Sequence, residues 1–99
     1  MKNNKSDYNK FTENIERAVN ILKNGGCSAV YLFGSGARRD LNEYSDIDLA
    51  IKGCPTGKFF NLYGKLMMTL DFPVDLVDMD HQTSFTRFLE KQGEMVQVG

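Results

Sequence analysis

The fold is decided by Gly34-Ser35-Gly36-Ala37-Arg38-Arg39-Asp40-Leu41-Asn42-Glu43-Tyr44-Ser45-Asp46-Ile47-Asp48. The apolar run Ala29-Val30-Tyr31-Leu32-Phe33 leads into this stretch, and a second run, Ile47 to Ile51, leads out of it. Both have strand length and strand composition. A strand that stops at Gly-Ser gathers backbone N–H groups in a tight turn where an anion can sit. Side chains alternate along a strand, so Asp46 and Asp48 face one way. Ile47, Leu49 and Ile51 then face the other way, into a core. Two carboxylates beside a phosphate-sized turn point to divalent-metal and nucleotide chemistry.

On the N-terminal side, Tyr8, Phe11, Ile15, Ala18, Val19 and Leu22 recur at helical spacing. They predict an amphipathic helix over about 8–24, ended by Gly25-Gly26 with Gly25 as a left-handed cap. Residues 1–6 are polar and expected to be frayed. The first strand is expected over 28–33, a helical turn over 35–40, a loop over 41–45 and the second strand from Ser45 to about Lys52. Breakers fill Gly53 to Gly57. Phe59, Phe60, Tyr63, Leu66, Met67 and Leu70 predict a second long helix over about 57–70, with Met67-Met68 as core filler. Phe72-Pro73 breaks it. Val74 to Asp78 reads as a third strand, Phe85, Phe88 and Leu89 as a short helix at about 83–91, and Met95 to Val98 as a last short strand. The expected class is α+β: three to four strands in a small mixed sheet flanked by helices.

Ninety-nine residues make one domain, spanning 1–99. The net charge of −1 and pI of 5.7 lack the basic surplus of a dedicated nucleic-acid binder. No apolar run is long enough for a membrane span, and the N-terminus lacks a signal-peptide core, so the expected location is the cytoplasm. Cys27 and Cys54 fit no metal spacing and no disulfide framework, and read as reduced thiols.

The phase of the third strand extends the constellation. If Val74 and Leu76 share the core face of Ile47, Leu49 and Ile51, Asp75 joins Asp46 and Asp48 on the opposite face. Asp78 has the core-side phase and is the weaker candidate. Three carboxylates on one face repel one another unless cations neutralise them, and Mg²⁺ suits such a set. Asp46 and Asp48 are expected to hold metal, with Asp75 as a further ligand and general base beside the incoming nucleophile. Gly34 permits close approach to phosphate, and Ser35 offers a hydroxyl and an N–H. Arg38 or Arg39 would neutralise charge on a leaving pyrophosphate. His81, the Asp78/Asp80 pair, Lys52 and Lys58 read better as surface or loop residues, and Tyr44, two residues before Asp46, fits equally a stacking or donating role at the site and packing of the loop.

Gly34-Ser35, ten residues, then Asp46-Ile47-Asp48 resembles the signature of the nucleotidyltransferase superfamily with a DNA polymerase β-like palm. The brevity of the chain and the wording from Gly34 to Ile51 are similar to the minimal nucleotidyltransferases of prokaryotes. Val74 to Val77 resembles that family's third-carboxylate strand, and Phe88 to Glu94 its last helix more loosely. Gly36 and Arg39 stand where the family often has Arg and Gly, which leaves open which arginine meets phosphate. The resemblance implies a palm-like fold, two Mg²⁺ ions held by Asp46, Asp48 and Asp75, and ATP as substrate. It implies transfer of AMP to a hydroxyl with release of pyrophosphate. It further implies an antitoxin paired with an all-helical HEPN ribonuclease toxin, whose tyrosine is the acceptor, within a homo- or hetero-oligomer. The rival readings are a binding module that neutralises its partner by occlusion, a nucleotide-sensing regulator, and an antibiotic-type nucleotidyltransferase. A chain this short leaves no room for an acceptor domain, which disfavours the last.

Overall fold

Among the described residues, four strands form one mixed sheet. The computed structural model describes residues 4–34, 46–92 and 95–99. Within these residues the elements are α1 (Asn4–Asn24), β1 (Ala29–Phe33), β2 (Ile47–Lys52), α2 (Phe59–Thr69), β3 (Val74–Asp78), α3 (Ser84–Gln92) and β4 (Val96–Gln97), and the sheet order is β3-β2-β1-β4. β1 pairs antiparallel with β2 and with β4, whereas β2 and β3 are parallel. A parallel pair needs a crossover, and α2 supplies it.

The principal core lies on one sheet face. Phe11, Ile15, Ala18 and Leu22 of α1 and Leu62 and Leu66 of α2 pack there against Val30, Leu32, Ile47, Leu49, Ile51 and Leu76. Alternation along the strands delivers this set, since odd-numbered residues of β2 and even-numbered residues of β1 share the face through the Val30↔Ile51 and Leu32↔Leu49 pairs. A second, smaller cluster of Phe33, Ala50, Met79 and Leu89 forms on the opposite face beneath α3. Buried Asn14 joins α1 to the segment before β3. Its Oδ1 accepts the Asp71 N–H at 2.7 Å, and its Nδ2 donates to the Lys10 carbonyl at 2.9 Å.

Several boundaries and faces differ from the sequence expectation. The first helix starts at Asn4, not near residue 8. Asn4 to Asp7 contain no helix breaker, and polar residues at a helix end need no core beneath them. Its C-terminus is a Schellman motif: the Cys27 N–H donates to the Leu22 carbonyl and the Gly26 N–H to the Lys23 carbonyl. The left-handed residue is therefore Gly26, with φ 103°, and not Gly25. Met67 and Met68 are not core filler, since Met68 is 90% exposed and Met67 and Phe60 also face outward. The inward stripe of α2 runs through Phe59, Leu62, Tyr63 and Leu66 and continues to Leu70 just past its end, and the methionines fall outside it. The expected helical turn at 35–40, the loop at 41–45 and the Ser45 start of the second strand lie outside the described residues; the ladder itself begins at Ile47. Among the described residues, no helix is long and apolar enough to cross a membrane.

Candidate active site

β2 carries the first carboxylates and β3 the next. In the parallel register Asp48 stands beside Asp75, and on its other side Asp48 stands opposite Phe33 of β1. Residues in register share a face, so Asp48, Asp75 and Phe33 project from the sheet face opposite the principal core. Val74 and Leu76 pack into that core, as their phase requires. Asp46 precedes the ladder and is exposed. It lies near enough for its charge to act on Asp48.

Asp48 is half-buried, and its carboxyl is held above the ordinary carboxylate range. Burial is the largest cause, followed by the charges of Asp75 and Asp46. Among the described residues the three aspartates thus form one electrostatic unit, in which Asp75 and Asp46 disfavour the charge on Asp48. Among the described residues, no three His, Cys, Asp or Glu side chains gather closely enough to hold one ion as they stand. The donor chemistry nevertheless fits a hard, oxygen-seeking cation: carboxylate oxygens from two adjacent strands, with no cationic side chain among the described residues that set the Asp48 carboxyl.

Gly34 closes β1 with φ 71°. A Cβ there would collide with Oδ2 of Asp48, so the turn and the carboxylate are packed against each other. The sequence motif therefore has a spatial reason: the turn glycine makes room for the aspartate fourteen positions later. Ser35, Arg38 and Arg39, the other expected nucleotide-binding residues, lie outside the described residues, as does Tyr44.

Tyr63 was not singled out for the site by sequence reasoning. Its hydroxyl lies 3.3 Å from Oδ1 of Asp75 and 3.3 Å from the Val74 carbonyl, either of which can accept its proton. The phenol is pushed above its usual value, chiefly by burial and then by the Asp75 charge. In sequence Tyr63 is one more member of an apolar helical stripe. As the crossover between the parallel strands β2 and β3, α2 carries the Tyr63 hydroxyl to the edge strand β3.

Asp78 and Asp80 are engaged in hydrogen bonds of the turn after β3. Asp78 pairs in register with Ile51, and its Oδ1 accepts the Asp80 N–H at 2.9 Å. Asp80 Oδ2 in turn accepts the Gly53 N–H at 2.6 Å, tying the end of β2 to the turn after β3. Lys52 shares the Asp48 face but lies four residues along, with its ammonium 5.6 Å from the Tyr31 ring centre. His81 is exposed, and its N–H donates to the Asp78 carbonyl.

The family model described as Polymerase beta, Nucleotidyltransferase matches residues 10–97. No curated protein matches the chain. Among solved structures, a toxin–antitoxin with AMP-PNP is 28% identical with a TM-score of 0.59, over 71% of this chain and 60% of that one. The chain therefore spans about 60% of that relative's length. A mutant form of the toxin–antitoxin MntA-HpeT is 25% identical with a TM-score of 0.65, over 85% of this chain and 70% of that one. A second mutant form, 23% identical with a TM-score of 0.64, covers 83% of this chain and 69% of that one and shows likeness of fold.

Proposed function

Because the chain belongs to the polymerase beta nucleotidyltransferase family, with the compact build of a minimal nucleotidyltransferase, we propose that it transfers AMP from ATP to a hydroxyl of a partner protein. The partner in this reading is an all-helical HEPN-type ribonuclease toxin, the acceptor is a tyrosine, and the modification neutralises the toxin. The observation that carries the chemistry is the Asp48–Asp75 register pair with Gly34 folded against Asp48. The likeness to a toxin–antitoxin with AMP-PNP supports both the nucleotide and the kind of partner.

Asp46, Asp48 and Asp75 would hold two Mg²⁺ ions, which supply charge neutralisation at the α-phosphate and acidify an acceptor hydroxyl. Gly34 would let the turn backbone approach the phosphate oxygens closely. Ser35 would donate to those oxygens, and Arg38 or Arg39 would face the leaving pyrophosphate. Tyr63 donates to Oδ1 of Asp75, which leaves Oδ2 to take the proton of the acceptor hydroxyl. The acceptor oxygen then forms a bond to the α-phosphorus, the bond from that phosphorus to the bridging oxygen breaks, and pyrophosphate departs with the electron pair.

The test uses the purified chain, Mg²⁺, α-labelled ATP and a candidate helical HEPN-type partner protein. Label on that protein, lost in the Asp46→Asn/Asp48→Asn double variant, is the expected result. A tight complex that neutralises the toxin equally well with the double variant and without label would replace this reading with neutralisation by occlusion.

A further inference from the structure

Phe33 and Phe85 form an aromatic ledge beside the carboxylates. Phe33 ends β1 as the register partner of Asp48, so the two side chains lie next to each other on one face. Phe33 is buried, and Phe85 of α3 meets it edge-to-face with ring centres 6.1 Å apart. Phe85 itself is 47% exposed. Phe85 is thus a large apolar ring left half in water, braced from behind by a buried ring, one side chain removed from Asp48. In the second core cluster the comparable positions Leu89 and Met79 are covered. The core therefore does not use the open part of Phe85.

We infer that Phe85 is the stacking platform for the nucleobase of the substrate nucleotide. The inference rests on the nucleotidyl-transfer reading above and adds a base-binding residue to it. A nucleoside triphosphate with its phosphates at Gly34 and Asp48 has to place its base a ribose away from them. Phe85 meets the register partner of Asp48 and keeps about half of its surface open on that side of the sheet, and every base has a π-face to lay on an aromatic ring. Phe33 fixes the ring beforehand, which limits the ordering cost of binding. Stacking on a phenyl ring favours the larger purine surface over a pyrimidine and does not separate adenine from guanine.

The test compares two probes on the full chain with Mg²⁺ by calorimetry: ATP, which has a base, and inorganic tripolyphosphate, which has none. Phe85→Ala is expected to weaken ATP binding about ten- to a hundredfold and to leave tripolyphosphate binding unchanged. Phe85→Trp is expected to restore ATP binding. A Phe85→Ala variant that binds ATP like the parent overturns the inference alone. Equal weakening of both probes also overturns it, because the loss is then not specific to the base. If the parent chain binds neither probe, the nucleotidyl-transfer reading fails together with it.

Discussion

Asp48 of β2 lies between Phe33 and Asp75, opposite the first across the antiparallel ladder and beside the second in the parallel one. One residue of a central strand thereby joins the aromatic side of the candidate site to its acidic side. The arrangement concentrates charge where burial already disfavours it, and the raised Asp48 carboxyl is the result.

Asp48→Asn removes that penalty along with a proposed metal ligand. The metal-free variant is expected to melt at a higher temperature than the parent at neutral pH, because a half-buried charge beside Asp75 and Asp46 is gone. Nucleotidyl transfer is expected to fall by more than the roughly 100-fold typical of losing an outer-shell partner of a metal ligand. Calorimetric melting and a labelled-ATP assay check the two halves separately. A variant that loses stability instead would show that the carboxylate serves the fold.

Tyr63→Phe keeps the ring in the core and deletes the proton donor to Asp75. The bond is long at 3.3 Å, so the stability cost is expected to stay near 1 kcal/mol or below. Transfer is expected to drop roughly 10- to 100-fold, in line with the loss of a group that orients a metal-binding carboxylate. Denaturant unfolding paired with kcat and KM distinguishes this outcome from general loosening of α2.

Gly34→Ala is expected to be damaging for two separable reasons. The left-handed φ of 71° costs about 1 kcal/mol or more in a residue with a Cβ, and that Cβ meets the Asp48 carboxylate. Combining Gly34→Ala with Asp48→Ala removes the collision and retains the backbone strain. The double variant should therefore recover part of the stability lost by Gly34→Ala, as measured by urea midpoints. Strict additivity of the two single changes would contradict the packed contact.

Cys27 gives a pH dependence remote from the acidic cluster. Its thiol is pushed up to about 11, first by burial and next by Cys54, because the fold disfavours the thiolate. The folded value exceeds the unfolded one, so its contribution is complete below pH about 9 and disappears as pH rises through about 11. The stability difference between the parent and Cys27→Ala, followed by thermal melting, should shrink across that window. Alkylation at pH 8 should modify the more exposed Cys54 well before Cys27.

Much of this was legible because strand periodicity is rigid. Ile47, Leu49 and Ile51 had to share a face, which placed Asp48 on the other, and the phase of Val74 and Leu76 placed Asp75 beside it. Helix faces were read less well. Phe60, Met67 and Met68 have core-like side chains but sit on the outer side of α2, where composition alone could not locate the thin layer it covers. The choice between Gly25 and Gly26 as the left-handed residue depended on hydrogen-bond closure at the end of α1, which two adjacent glycines leave undetermined.

The sequence by itself determined the strand-turn-strand motif, the alternation that segregates carboxylates from core, and the family to which the motif belongs. Only the tertiary structure decided that Asp48 and Asp75 are register partners, that Gly34 makes room for Asp48, and that Tyr63 and Phe85 reach the same region from two different helices. Periodicity is a local property of the chain, fixed by backbone geometry over a few residues. Register and contact between distant segments are set by how the helices cover the sheet, and that is resolved only when the whole domain packs.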